Sequence, residues 1–265
     1  MSAALDAWRI AAEPYYHAAG DECELFEAAY AQRLPVLLKG PTGSGKTRFV
    51  EHMAWRLKRP LVTVACNDDT TAGDLIGRWL LDAQGTRWQD GPLTLAARHG
   101  GLCYLDELVE ARADTTVVIH PLADTRRVLP IDRRNELLHA HPDFALIVSY
   151  NPDASSKPLK PATRHRFCSL EFDYPPAEAE AEIVMRESGA SLELAACLVA
   201  LGVRSRRLVG HGLDEGASTR MLVRAASLIR GGAAPASACR MAMVAPLTDD
   251  ADLHEALVAA VDASF

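Results

Sequence analysis

Nothing in these 265 residues approaches the ~18–20 consecutive apolar positions that a membrane-spanning helix needs. The opening Met1-Ser2-Ala3-Ala4-Leu5-Asp6 also lacks the basic-then-apolar layout of a secretory leader. Both absences predict a cytoplasmic protein that does not engage a membrane. Positive charge is not in excess: the formal net charge is −7, which argues against nucleic acid as the principal partner, and no helix-turn-helix signal is present. The six cysteines, Cys23, Cys66, Cys103, Cys168, Cys197 and Cys239, stand singly, with no C-x-x-C and no Cys/His pair at metal-ligand spacing. They read as buried small apolar residues in a reducing compartment. The nine histidines do not cluster, and His139 and His141 beside Pro142 read as loop residues. Internal repeats and low-complexity segments are absent. What is present is a globular composition, 49% apolar, with enough length for one large domain or a medium domain with a small partner.

The most informative stretch is Gly40-Pro41-Thr42-Gly43-Ser44-Gly45-Lys46-Thr47, a match to G-x-x-x-x-G-K-[ST]. Leu34-Pro35-Val36-Leu37-Leu38 ahead of it suits a buried parallel strand. Behind it Phe49, Val50, Met53, Ala54 and Leu57 recur on one helical face, so the motif lies between strand and helix. Glycines there let backbone N–H groups turn inward around phosphate oxygens, and the helix starting near Lys46 adds its positive end. In such a loop Lys46 reaches the β- and γ-phosphates and the Thr47 hydroxyl ligates Mg²⁺. ATP with Mg²⁺ is therefore the expected cofactor.

Other segments fall in order around that loop. A helix is expected over 22–32, and Tyr15 and Tyr16 before it either flank an adenine or simply pack. A β-branched strand follows over 61–65, and Thr70 or Thr71 caps a short helix running through Ile76. Residues 79–92, with Trp79 and Trp88, a Gln84-Gly85 turn and a Gly91-Pro92 exit, read as a hairpin inserted into a helix, or as a surface loop whose tryptophans fold back on the core. Residues 101–107 form an apolar strand ending in Asp106 and Glu107, the expected Walker B element. Asp106 would orient the Mg²⁺ shell and Glu107 would polarise the attacking water. A helix over 114–122 leads into a second hairpin over 126–140, whose Arg133-Arg134-Asn135-Glu136 tip lacks glycine but has an Asn able to turn left-handed. The strand over 144–150 ends at Asn151-Pro152, where Asn151 could hold the lytic water and Pro152 equally fits an ordinary strand exit. Lys157, Lys160, Arg164, His165 and Arg166 form a basic cluster, which a solvated loop also explains, before a last strand over 167–171. After Tyr174-Pro175-Pro176 the periodicity is helical: 177–187, 192–201, 219–230, 235–243 and 253 onward. Met221, Leu222, Ala225, Leu228 and Ile229 mark one stripe facing a small helical core, and Leu253, Leu257, Ala260 and Val261 mark another. Ser218 can cap the helix that Arg220 opens. The expected division is a nucleotide-binding core over 1–172 and a helical lid over 173–265.

With these residues assembled, the chain resembles the AAA+ ATPases of the MoxR type, in particular the CbbQ/NirQ/NorQ group. The likeness spans nearly the whole chain. It is carried by residues 40–50, Trp88-Gln89-Asp90-Gly91-Pro92-Leu93, Tyr104-Leu105-Asp106-Glu107, Val117-Val118-Ile119-His120-Pro121-Leu122, Ser149-Tyr150-Asn151-Pro152 and Ser218-Thr219-Arg220. The resemblance implies an α/β fold: a P-loop αβα core with a five-stranded parallel sheet, two inserted hairpins and a C-terminal helical lid. It further implies a hexameric ring with ATP at each subunit interface. In it Asn151 is sensor 1, Arg220 is sensor 2, and Arg164 and Arg166 match the segment that supplies an arginine finger to the neighbouring subunit. Group members work with a von Willebrand factor A-domain adaptor, on inhibited Rubisco for CbbQ and on nitric oxide reductase for NorQ. Glu51-His52-Met53-Ala54-Trp55, residues 62–67 and residues 211–216 look more like CbbQ, which makes Rubisco the first expected client. A P-loop phosphotransferase acting alone is the competing reading of the same loop. The chain departs from the group after Asn151-Pro152, where Asp153-Ala154-Ser155-Ser156 replaces the usual Gly-Tyr and the loop looks shortened.

Overall fold

The computed structural model describes residues 3–83, 85–152 and 158–265. Contacts divide the chain into two compact units, Met1–Gly40 with Lys46–Phe172, and Pro41–Gly45 with Asp173–Phe265.

In the first unit, a 3₁₀ turn at Ala3–Trp8 precedes α1 (Glu22–Ala31), β1 (Val36–Lys39), α2 (Lys46–Arg56) and β2 (Leu61–Ala65). Next come α3 (Ala72–Ile76), β3 (Gly77–Asp82), β4 (Gly85–Asp90), α4 (Pro92–His99) and β5 (Leu102–Asp106). The unit continues with α5 (Ala113–Val118), α6 (His120–Ala123), β6 (Val128–Ile131), β7 (Glu136–His139), β8 (Ala145–Tyr150), α7 (Pro161–Arg164) and β9 (Cys168–Glu171). Five strands form one parallel sheet in the order β2-β5-β8-β1-β9. Residues of these strands alternate between two cores. Leu146 and Val148 join one with Leu37, Val62, Cys103 and Leu105, while Ala145 and Ile147 join the other with Val36, Leu38, Leu102 and Tyr104. A sheet covered on both faces needs apolar side chains at consecutive positions, which is why β8 opens on the apolar run Ala145–Val148.

Local chemistry accounts for most element ends. Thr71 caps α3 in a capping box with Asp74. Gly91 and Pro92 turn the chain from β4 into α4, with Pro92 at the first helical turn where its missing N–H costs nothing. The helix expected over 114–122 is instead broken at Ile119, two residues before Pro121. Both insertions are antiparallel hairpins, β3-β4 and β6-β7. In the first, Trp79 and Trp88 meet edge to face at 5.4 Å; Trp88 packs on the core and Trp79 stays half exposed, so hairpin and inward packing coexist. Asn135 turns the second hairpin at φ 50°, and His139 belongs to β7 rather than to a loop. Tyr16 packs against Phe49 and His52 and donates to Glu22 at 2.7 Å, which accounts for that ring by packing. Cys23, Cys66, Cys103 and Cys239 are buried, but Cys197 is only partly covered and Cys168 is exposed on β9, at the edge of the sheet.

The second unit holds α8 (Ala177–Ser188), α9 (Leu192–Arg206), α10 (Thr219–Arg230), α11 (Pro235–Cys239), a π-helical turn at Arg240–Val244, and α12 (Ala251–Asp262) around one apolar cluster. Both sequence stripes face that cluster, including Leu222, Ala225, Leu257 and Val261. Helix α9 runs through Gly202, beyond the expected stop, because the missing side chain there admits both Leu222 methyl groups; a Cβ would sit 3.2 Å from each. Asp250 caps α12 through the N–H of Leu253. Ser218 occupies the N-cap position of α10 but makes no side-chain cap bond, contrary to expectation.

Candidate active site

The sheet brings the two phosphate-directed motifs together at the C-terminal ends of β1 and β5, which are separated by β8 in the strand order. Gly40 leaves β1 with its N–H donating to Tyr150 O at 3.3 Å, and a Cβ at this position would lie 2.2 Å from Phe172 O, so only glycine fits. Lys46, 7% exposed, opens α2 and donates from Nζ to Gly40 O at 2.8 Å. Thr47 donates from Oγ1 to Asp106 Oδ2 at 3.3 Å.

Asp106 is held from its other oxygen by two hydroxyls: Tyr104 donates to Oδ1 at 2.6 Å and Ser149 donates to Oδ1 at 2.5 Å. Burial, reinforced by the Asp106 carboxylate, pushes the Tyr104 phenol far above its ordinary range and keeps its proton in place as a donor. Ser149 is fully buried and does a second job, accepting the N–H of Glu107 at 2.9 Å. Glu107 itself has φ 55° and ψ 48°, a left-handed conformation uncommon for a residue with a side chain, and its side chain is exposed. Strain held by neighbouring bonds is a recurrent property of functional positions. One hydrogen-bonded line therefore runs from Thr47 through Asp106 and Ser149 to the Glu107 backbone. Asn151 follows β8 directly and is 7% exposed.

The two candidate finger arginines differ. Arg166 donates from Nε to Asp124 Oδ1 at 2.9 Å and from Nη1 to the Ala162 carbonyl. Arg164, last in α7, is exposed and pairs with no carboxylate among the described residues. The shortened stretch at 153–156 and Lys157 lie outside the described residues, as does Gln84 of the first turn.

Within the second unit, residues 41–45 of the loop contact residues of the C-terminal helical region. Ser44 donates from Oγ to Pro41 O at 2.8 Å, Tyr174 donates from its hydroxyl to Thr42 O at 3.1 Å, and Thr42 donates from Oγ1 to Glu215 at 3.3 Å. Arg220 is exposed at the start of α10, its Cβ 3.6 Å from where a Gly43 Cβ would be.

The donor set fits Mg²⁺ with a polyphosphate: a hydroxyl and a carboxylate, both oxygen ligands, beside a buried ammonium and a glycine-lined backbone turn. Residues 35–167 match the family described as AAA domain (dynein-related subfamily), and residues 180–264 match CbbQ/NirQ/NorQ C-terminal. The chain is 62% identical to Protein CbbQ of Hydrogenophilus thermoluteolus, covering 97% of both chains. This chain belongs to the CbbQ/NirQ/NorQ group of AAA+ ATPases. It is also 58% identical to Denitrification regulatory protein NirQ of Pseudomonas aeruginosa (95% of this chain, 97% of that one) and 57% identical to Protein NorQ of Paracoccus denitrificans (92% and 91%). Among solved structures, a putative ATPase from Cytophaga hutchinsonii superposes with TM-score 0.52 at 15% identity, covering 93% of this chain and 90% of that one. A RuvB mutant from Thermotoga maritima superposes with TM-score 0.56 at 17% identity, covering 92% and 71%. Those two likenesses concern the fold.

Membership in this group supports ATPase activity and nucleotide binding. Tyr104 and Ser149 are the site residues that sequence reasoning passed over. Their signal was visible: a serine near the end of the apolar run of β8, and a tyrosine two residues before Asp106, hence on the same strand face. Among the described residues no helix is long and apolar enough to cross a membrane, and no group of three or more His, Cys, Asp or Glu is placed to hold a metal ion.

Proposed function

We propose that this protein is an ATP-hydrolysing motor that works as a hexameric ring in the cytoplasm and, with a von Willebrand factor A-domain adaptor, remodels inhibited Rubisco. The line Thr47–Asp106–Ser149–Glu107 carries the hydrolytic part of this reading. Bound Mg²⁺–ATP supplies a γ-phosphoryl group open to in-line attack by water. Gly40, Pro41, Thr42, Gly43, Ser44 and Gly45 wrap the phosphates with backbone N–H groups, and Lys46 neutralises them. Thr47 and Asp106 would hold the metal. Tyr104 and Ser149 keep the Asp106 carboxylate turned so that Oδ2 faces Thr47. Glu107 takes the proton of the attacking water from its left-handed position immediately after the strand. Asn151 orients that water, and Arg220 reports on the nucleotide from the lid.

The finger is Arg164. A residue acting on a neighbouring subunit must be unpaired within its own, and Arg164 is exposed without an ion-pair partner among the described residues, whereas Arg166 braces α7 against Asp124. Nucleotide state then acts on the ring by differential affinity for its conformations. The client preference follows the 62% identity to CbbQ; the 57–58% identity to NorQ and NirQ supports a second reading, maturation of nitric oxide reductase.

The test is solution mass with and without Mg²⁺–ATP, together with specific ATPase activity across protein concentration. A hexamer whose specific activity rises on assembly is expected. A monomer with concentration-independent turnover would overturn interfacial hydrolysis and favour a phosphotransferase acting alone. Adaptor pull-down with inhibited Rubisco against nitric oxide reductase then decides the client.

A further inference from the structure

The C-terminal unit contains a buried ion pair that none of the nucleotide motifs includes. Glu180 on α8 is fully buried, and Arg206 at the end of α9 closes on it with Nη1 to Oε2 at 2.8 Å and Nη2 to Oε1 at 2.6 Å. Thr219 adds a third donor, Oγ1 to Oε1 at 2.6 Å. The same guanidinium donates from Nε to Ala217 O at 2.9 Å and stacks 3.7 Å from the centroid of the Tyr174 ring, whose hydroxyl donates to Thr42 O. Filling a helical core calls for nothing this specific, since apolar residues of similar volume often serve as well as a buried ion pair. A planar fork bonded on three nitrogens and stacked on a ring defines a geometry instead.

What it defines is the placement of residues 215–220 on the nucleotide loop. Glu215 accepts from Thr42 Oγ1 at 3.3 Å. Gly216 lies against Arg206, where a Cβ would meet Cγ at 2.5 Å. Ala217 donates its N–H to Ser205 Oγ at 2.9 Å, and Ser218 Cβ lies 2.6 Å from a Cβ built on Gly43. Thr219 is bonded to Glu180, and Arg220 follows.

We propose that Tyr174, Arg206 and Glu180 are positioning residues for ATP hydrolysis: they lock the Thr42 carbonyl and the first turn of α10 into one register, so that Arg220 is presented to the nucleotide when the loop holds its binding shape. This rests on the loop and Arg220 serving ATP hydrolysis, as proposed above. Tyr174 has two separable roles, a ring under Arg206 and a hydroxyl on Thr42, so Tyr174→Phe cuts the link to the loop while sparing the buried pair.

The experiment is a double-mutant cycle on kcat, using full-length protein at saturating Mg²⁺–ATP, with thermal unfolding as a check on folding. Tyr174→Phe is expected to lower kcat about fivefold, the scale of one hydrogen bond. In an Arg220→Ala background the same change should lower it less than about twofold, because the residue through which it acts is already gone. Arg206→Lys, which keeps charge but loses the fork, should repeat the pattern. Equal fold losses in both backgrounds, or no loss from Tyr174→Phe, would overturn the proposal in favour of a structural brace. Wild-type turnover by Arg220→Ala would overturn it too, leaving nothing to position. Lys46→Ala separates the two readings: if it hydrolyses ATP normally, the nucleotide site itself is wrong and this inference falls with it; if it is inactive, any failure above belongs to the positioning alone.

Discussion

Replacing Ser149 by alanine tests the proposed hydrolytic site at a position to which the motifs assign no role. Its hydroxyl is fully buried, donates to Asp106 Oδ1 at 2.5 Å and accepts the Glu107 N–H at 2.9 Å. Deleting it removes a hydrogen bond to a charged group, worth about 1.5–3 kcal/mol, and leaves a backbone donor without its partner, a further ~1–3 kcal/mol. Part of this loss falls on folding. At about 2–4 °C per kcal/mol for a unit of this size, the unfolding midpoint should drop by a few degrees, up to ~10 °C. Tyr104 still restrains Oδ1 from 2.6 Å, so Asp106 is loosened rather than released. If ~1.4–2.7 kcal/mol appears in the transition state, kcat falls roughly 10- to 100-fold. ATP affinity should change little, because Lys46 and the loop backbone do not depend on Ser149, and the Mg²⁺ concentration for half-maximal activity should rise. Steady-state ATPase across Mg²⁺ concentrations, with titration of a fluorescent ATP analogue, measures all three. A kcat within twofold of wild type, or an affinity loss that parallels the kcat loss, would refute the assignment of Ser149 as the residue holding Asp106 and Glu107 in place. Tyr104→Phe should give a milder version of the same profile.

Lys46→Ala should abolish nucleotide binding in the analogue titration, whereas Glu107→Gln should bind ATP and lose about 10²–10⁴-fold in turnover. Arg164→Ala should be inactive alone and regain activity when mixed with Lys46→Ala, through hybrid interfaces; Arg166→Ala should lower the unfolding midpoint and show no such recovery, and the reverse result would reassign the finger. The second hairpin should loosen in acid. The hydrogen bond from Arg98 to Glu136, 2.6 Å long, holds that carboxyl below its ordinary value of 4.5, so the stabilisation is complete above that pH and is lost as pH falls through the lower folded-state value. Trp88, with Arg134 5.9 Å from its ring centroid, should report this by fluorescence, and the acid transition should vanish in Arg98→Met.

The sequence by itself determined most of what depends on neighbours along the chain, the absent Ser218 cap and the break at Ile119 being the exceptions. Residues 40–47 announce a phosphate loop because glycine and a following helix are local requirements, and Asp106-Glu107 announces its partner because the strand ends there. A threonine cap at 70–71, Gly91 with Pro92, and Asn135 at its left-handed turn were legible for the same reason: caps and turns are made by residues a few positions apart. Tertiary structure alone decided which distant side chains share an atom. Ser149 reaches Asp106 because β8 pairs with β5, with Leu105 opposite Val148. Nothing local to Ser149 encodes that register. Cys168 is exposed because β9 closes the edge of the sheet, so an apolar reading of the residue could not hold there. Arg166 and Arg164 are chemically alike two positions apart, and only the folding of Asp124 against Arg166 gives the two different surroundings. Arg206 and Glu180 sit on different helices 26 positions apart, so the pairing that bonds them to Thr219 exists only once α8, α9 and α10 have packed.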